Sequence, residues 1–574
     1  MKMKKIFLKW GAMLALCALT GALLCACAGR QSTGGQTSAE SPSQEPAGDP
    51  TPSQEEKIVL STESKSLMYF NDPGHISNES PYNPGRSTVV TKDRLESAVT
   101  EATSAGFDVF VNEIYGMVPW YPSEVYSVEE HLDWFYNEFG GKGTHPFLTY
   151  TKNGNDFMKI QMDKTHEENK LFFCSYRMND LHGLNIGDNP DTASVIWISK
   201  FFIEHPEYRI GEAYPNISAS RFMLDFQYQE VRDYKLAMIR ELIENYDEMD
   251  GLLLDFMRAP AYFNQSTTTE EQRVNIITGF VEEVKAMLDA KSAETGRDYY
   301  FGVILPITDT IHKELGIDTD RLYDAGVRMF VFWDYYMSVQ AYDLVDQVKT
   351  AHPDVIAYVE LSQATSYKVN SNPAEVRYTT AEQFYTCAYT AYAHKADGIA
   401  IFNFPFYRNW QYAAGQGIGA EPPFEIMKYL KDPDFLRTAP QHYFIGCTYN
   451  INRLELDLRF LSLDKNKNSF SFEMDTIPPE GGWEQDGILR LEASQDISEL
   501  QLTVKLNGVI LSVEEYIGNP YETPYTHLIG GANRIRCFSV PAWLLENGNN
   551  VFEVTAGLSG GETLQFTFID LAIQ

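Results

Sequence analysis

In DEMDGLLLDFMRAPAYF, Asp247 to Phe263, an apolar run ends on Asp255, and Arg258 follows three positions later. A carboxylate at the end of such a run is expensive to bury unless something pairs with it or uses it. Other apolar runs end in the same manner. SLMYFN (66–71) leads to Asn71 and Asp72, with His75 just beyond. FDVFVNE (107–113) ends in Asn112 and Glu113. LFFCSYR (171–177) ends in Arg177 and runs on to Asn179, Asp180 and His182. VRMFVFWD (327–334) delivers Trp333 and Asp334, DVIAYVE (354–360) delivers Glu360, and GIAIFNF (398–404) carries Asn403 with Arg408 nearby. Only YYFGVIL (299–305) ends without an ionisable group. Charged residues make up 22% of the chain, and chance placement would not gather so many polar groups at one end of apolar runs.

Carboxyls supply acid and base, amides and guanidiniums bond hydroxyls, and aromatic rings stack on pyranose faces. That set suits sugars. Glycosidic cleavage needs two carboxyls, about 5–5.5 Å apart for retention and about 6.5–9.5 Å for inversion. The catalytic candidates are Asp255, Asp334 and Glu360. Asp255 pairs either with Asp334 as acid/base, or serves as acid/base itself with Glu360 as nucleophile. Asn71, Asp72, His75, Asn112, Glu113, Arg177, Asn179, Asp180, His182, Arg258, Trp333 and Asn403 are the expected substrate contacts. Asp247 and Asp250 read as turn formers. His75 and His182 lack a third ligand at metal-binding spacing, so neither a metal nor another cofactor is expected.

The elements that must position these groups are eight short β-branched and aromatic runs, alternating with segments whose apolar residues recur every three or four positions. TKDRLESAVTEATSAG, VRDYKLAMIRELIENY and EEQRVNIITGFVEEVKAMLDA are examples of the latter. Near-continuous apolar strands between helices imply a parallel sheet covered on its outer face. Eight such units predict an α/β fold, a (β/α)8 TIM barrel over 57–438, with reactive groups at the C-terminal strand ends. No G-x-G-x-x-G or P-loop follows a strand, which argues against a nucleotide-binding sheet. From 439 to 574 the texture becomes short alternating runs between Gly, Asn, Asp and Pro turns, the pattern of an all-β sandwich.

The 574 residues carry 46 basic and 79 acidic side chains, a formal net charge of -33. Such a surface argues against nucleic acid as a partner and favours a neutral polymer over an acidic one. The N-terminus reads as an address: MKMKKIFLKW, then GAMLALCALTGALL, then LCAC, which resembles a lipobox with Cys27 as lipid acceptor. Residues 1–27 are the expected leader and 28–56, rich in Ser, Gly, Pro and Gln, a tether. The expectation is an exported protein anchored by lipid to the outer face of a bacterial membrane. Cys174, Cys387, Cys447 and Cys537 are widely spaced and read as buried apolar residues.

FQYQEVRDYKLAMIRELIENYDEMDGLLLDFMRAPAYF resembles the strand-4 region of the family 10-like glycosyl hydrolases. There a helix ends in a YDVDGI-type turn, and the following strand ends in D-x-x-R-x-P. The matching positions are Tyr246, Asp247, Asp250, Gly251, Asp255, Arg258 and Pro260, while Glu248 and Met249 depart from the usual spelling. DKTHEENKLFFCSYRMNDLHG is similar to that group's strand-3 region. The resemblance spans 58–435 in layout and these two segments in wording. It implies a carbohydrate-processing barrel and leaves the second carboxylate open. KLNGVIL and VPAWLLENGNNVFEVTA resemble the galactose-binding-like jelly rolls appended to glycosidases, implying a module that binds sugar or braces the barrel. A glycan-binding lipoprotein without catalysis is the alternative expectation, and a transporter's solute-binding lipoprotein the third, which would require two lobes and a hinge.

Overall fold

The computed structural model describes residues 58–573 except 78–79, 86, 140–144, 181–195, 212–222, 368–375, 403, 409–419, 449–453, 455–456 and 523–530. Cys27, the leader, the tether, His182 and Asn403 lie outside the described residues.

Eight parallel strands close into a barrel in chain order: β1 (Ser66–Asn71), β2 (Val109–Ile114), β3 (Leu171–Arg177), β4 (Gly251–Asp255), β5 (Tyr300–Pro306), β6 (Met329–Trp333), β7 (Ile356–Ser362) and β8 (Gly398–Phe402). Helices cover the outside, among them α1 (Lys92–Ser104), α2 (Phe157–Glu167), α3 (Gln229–Asn245), α4 (Glu270–Thr295), α5 (Asp343–Ala351) and α6 (Ala381–Ala393). Local sequence sets their ends. Thr269 with Gln272, and Thr380 with Gln383, form capping boxes at the starts of α4 and α6. Gly296, at φ 70°, closes α4 in the left-handed conformation that glycine adopts without strain.

Alternation along the strands separates two cores. Met68, Phe70, Val109, Val111, Leu171, Phe173, Leu253, Ile304, Met329, Val331, Tyr358, Ala400 and Phe402 fill the interior, and their neighbours in sequence pack against the helices. Large and small residues interlock there. A Cβ on Gly398 would stand 2.2 Å from the Tyr358 ring, so that position must be glycine. Ile58 and Leu60 close the bottom of the barrel, the Leu60 N–H donating to the Tyr300 hydroxyl at 2.9 Å.

Three aspartates staple that bottom end. Asp108, Asp250 and Asp397 each immediately precede a strand. Each carboxylate accepts from the backbone N–H of the preceding strand's Leu67 (3.1 Å), Phe172 (3.0 Å) or Ala357 (2.8 Å). Each aspartate's own N–H donates back to the carbonyl of that same residue. A cation completes each set: Lys431 at Asp108, Arg297 at Asp250 and Lys349 at Asp397. Asp250 is therefore structural, as the turn reading expected.

Beyond the barrel, two antiparallel sheets share one core. The first orders Gln441–Gly446, Phe566–Ile573, Gly487–Ala493, Ile535–Val540 and Ser512–Glu514, and the second Ser469–Thr476, Gly548–Ala556, Leu502–Leu506 and Val509–Ile510. The first sheet's outer face meets the barrel. A hairpin starting at Ala364, just past β7, gives the Ser366 hydroxyl, which accepts from Cys447 N–H and donates to the Thr567 carbonyl. Arg377 pairs with Glu492 and lies 4.0 Å over the Phe568 ring. The sandwich thus braces the continuation of the strand that carries Glu360. All four described cysteines are free and buried.

Candidate active site

The same alternation decides which strand-end groups face inward. Two residues beyond Val111, Leu253 and Tyr358 stand Glu113, Asp255 and Glu360, and four beyond Phe173 stands Arg177. All are buried: Arg177 and Asp255 are 0% exposed, Glu360 2% and Glu113 3%. Trp333 belongs to the same interior cluster.

Arg177 organises one side. Its Nε donates to Glu113 Oε2 at 2.7 Å and its Nη2 to Asp72 Oδ2 at 3.1 Å, while Nη1 lies 3.9 Å from Asp180 Oδ2. The Tyr115 hydroxyl donates to Asp72 Oδ1 at 2.7 Å. The Tyr115 ring lies between the Arg177 guanidinium, 4.2 Å away, and the Trp120 ring, stacked at 4.0 Å. Arg177 is therefore clamped by carboxylates in its plane and by an aromatic face. Burial alone would raise the Asp72 pKa, but Arg177, His75 and Arg258 hold it well below the carboxylate range. Burial brings His75 down to about 4, so it is neutral at pH 7.

Asp255 is fixed at one oxygen only. Its Oδ1 accepts from the Met257 N–H at 2.7 Å and the Arg258 N–H at 2.8 Å, and its Oδ2 is buried without a hydrogen-bond partner among the described residues. Burial, and then the Glu113 charge, push its pKa up to about 7 against the pull of Arg177. Glu360 Oε1 is likewise buried and without a hydrogen-bond partner among the described residues. Burial, Glu113 and Asp255 drive the Glu360 pKa well above the usual carboxylate range, which favours its protonated form. Two buried carboxyls whose charges act on one another thus face one space, a setting in which one can give a proton while the other bears charge.

Above them Asp334, Tyr335, Tyr336 and Met337 form a turn closed by the Met337 N–H on the Asp334 carbonyl at 3.2 Å. Tyr336 has φ 62°, the left-handed value that the third position of a type II turn demands and that a bulky side chain resists. Such strain is of order 1–3 kcal/mol and gathers at functional sites. The turn presents both tyrosines to Arg258, whose guanidinium carbon lies 4.7 Å from the Tyr336 ring centre and 5.7 Å from those of Tyr335 and Phe402.

Several expected contacts stand elsewhere. Asn71 and Asn112 have the outward parity: Asn71 donates to Asn112 at 2.7 Å and Asn112 to Gln161 of α2 at 2.9 Å, tying barrel to helix. Both of these expected substrate contacts are engaged in bonds between strands and helix. The Asn179 amide spans the Leu224 and Ala261 carbonyls and clamps two loops. Asp334 directly follows inward-facing Trp333, at the start of the turn beyond that strand, and is fully buried. Tyr115, Tyr335 and Tyr336 were not singled out from sequence, although the adjacent tyrosines after Asp334 are the visible signal. No group of three His, Cys, Asp or Glu among the described residues is placed to hold a metal ion.

No family model matches the chain, and no curated protein does. Among solved structures it is similar to a GH138 enzyme targeting pectin rhamnogalacturonan II, with 13% identity over 65% of this chain and 39% of that one and a TM-score of 0.39. It is also similar to an alpha-galactosidase from Lactobacillus brevis, with 13% identity over 87% of this chain and 56% of that one and a TM-score of 0.34. An alpha-amylase from Geobacillus thermoleovorans complexed with acarbose shares 11% identity over 87% and 99% of the two chains, with a TM-score of 0.36. The chain thus spans less than two thirds of the first two structures' own lengths.

Proposed function

We propose that the chain is a glycoside hydrolase acting on an extracellular oligo- or polysaccharide, with Asp255 and Glu360 as its two carboxyls. One observation carries the proposal: both face the barrel axis, both are buried, and each keeps one oxygen without a hydrogen-bond partner among the described residues. A buried carboxyl oxygen left unpaired is costly in a resting protein and useful in one that awaits a substrate. Glu360 holds the proton and donates it to the departing glycosidic oxygen. Asp255, pinned at Oδ1, offers Oδ2 to the positive charge that develops at the anomeric carbon. This gives Glu360 the acid role and Asp255 the ionised one, the reverse of the strand-4/strand-7 scheme expected from sequence. The D-x-x-R-x-P wording at Asp255, Arg258 and Pro260 supports a place near the family 10-like glycosyl hydrolases. The N-terminal pattern supports export and a lipid on Cys27, which fatty-acid labelling lost in Cys27→Ala would test.

The decisive experiment measures reducing ends released from a glycan panel by the wild type, Asp255→Asn and Glu360→Gln. Each variant is expected to lose at least about a hundredfold in rate with an unchanged circular dichroism spectrum. Unimpaired cleavage by Asp255→Asn would falsify the mechanism, and binding of glycans without cleavage by the wild type would leave a capture protein.

A further inference from the structure

Arg258 forms no ion pair with a carboxylate among the described residues. It is 4% exposed, and its Nη1 has no hydrogen-bond partner among the described residues. Arg177, one strand away, has Asp72, Glu113 and Asp180 around it. What surrounds Arg258 instead is aromatic: Tyr335, Tyr336 and Phe402. Cation–π contact offsets part of the desolvation of a guanidinium but satisfies none of its in-plane donors, of which Nη1 is buried and unpartnered among the described residues. Those donors are built for a planar or tetrahedral oxyanion. Arg258 feels the charges of Asp72 and Arg177, and it acts on Glu360 in turn, so it belongs to the same space as the candidate carboxyls. The strained turn at Tyr336 holds the wall of this cage in place.

We infer that the sugar unit held in the cup carries an anionic substituent, a carboxylate or a sulfate ester, which Arg258 binds. The inference rests on the proposed glycan-processing function and narrows its substrate to acidic sugars. The net charge of -33 does not oppose it. Surface charges are screened within a Debye length of about 8 Å, whereas a buried guanidinium acts on its ligand at contact. The surface disfavours a densely acidic polymer and the cage selects a single anionic unit.

The test is binding, followed by the protein's tryptophan fluorescence, of D-glucuronate, D-galacturonate and galactose 6-sulfate against glucose and galactose. At least one anionic sugar is expected to bind about tenfold tighter than its neutral counterpart, the scale of one charge-assisted contact. The uronate and sulfate arms separate the two sources of charge. Arg258→Gln is expected to erase the preference and Arg258→Lys to keep part of it. Equal binding of neutral and anionic sugars, or no binding of any anionic sugar at millimolar concentration, overturns the inference. So does equal competition by free acetate or sulfate, which would mark an anion site indifferent to sugar. If the glutamine variant fails to fold, the wild-type comparison still decides. Selective binding without any cleavage would leave this inference standing while the hydrolase reading fails, and cleavage of neutral glycosides without anion preference would do the reverse.

Discussion

Asp255 and Arg258 are joined through the backbone and not as an ion pair. Asp255 Oδ1 accepts from the Arg258 N–H at 2.8 Å, while the Arg258 guanidinium turns away to the Tyr336 ring. The D-x-x-R spacing is that of a turn in which the acid caps its own loop. The carboxylate is thereby oriented without being neutralised, and the guanidinium is released for other use. Both consequences can be measured.

The first concerns stability. The folded Asp255 pKa, about 7, lies above its ordinary value of 3.8. Between those values the folded chain holds a proton that the unfolded chain has released. Its contribution is therefore fully present below about pH 4 and is lost as pH rises through about 7. Asn cannot ionise and keeps an acceptor for the two N–H groups. Asp255→Asn is thus expected to melt higher than the wild type at pH 8, by about 2 °C or more, with the gap closing toward pH 4. Melting curves at the two pH values check this, and a variant that melts lower at pH 8 would refute the burial argument.

The second separates acid from base. A proton donor matters in proportion to how badly the leaving group needs the proton. Glu360→Gln is expected to slow cleavage of natural glycosides by about 10²–10⁴-fold yet keep most of the rate on a dinitrophenyl glycoside of the same sugar. On that substrate the variant should also lose the alkaline limb of the rate profile. Equal losses on both substrates would move Glu360 out of the acid role.

The third tests the field at Asp255. After burial, the Glu113 charge is the largest influence raising its pKa. Glu113→Gln removes that charge and keeps an acceptor for Arg177 Nε. Asp255 should then ionise more easily, so the acid limb of kcat/KM is expected to move to lower pH. A shift to higher pH, or none, would show that Glu113 and Asp255 do not share a field.

Much of this arrangement was legible in the sequence, and the limits are physical. SLMYFN, LFFCSYR and GLLLD fall on β1, β3 and β4 residue for residue because long apolar runs between helices have one way to be buried. What position alone could not give is side-chain parity. Asn112 and Glu113 are neighbours at one strand end, yet one bonds a helix and the other faces the axis. Runs buried on both faces carry no alternation of polarity to mark the inner one, so the frame emerges only when the barrel closes. Likewise the two tyrosines after Asp334 are visible as letters, but their cage around Arg258 depends on a backbone angle that composition does not report. The structural role of Asp250 is legible in the sequence, because an acid before a strand has backbone donors in reach.

Tyr336 combines a strained backbone with a ring placed 4.7 Å from the Arg258 guanidinium carbon. Tyr336→Gly relieves strain of order 1–3 kcal/mol but forfeits the ring contact and adds chain entropy to the unfolded state. The folded protein is therefore expected to change little in melting temperature. Tyr336→Ala forfeits the same ring and keeps the unfavourable φ, so it should melt below the glycine variant. Both should weaken substrate, raising KM with kcat less affected, because the cage holds a binding group and not the reacting atoms. A glycine variant that melts far below the wild type would make the ring a packing element. One that keeps the wild-type KM would show that the strain at Tyr336 is not maintained for the ligand of Arg258.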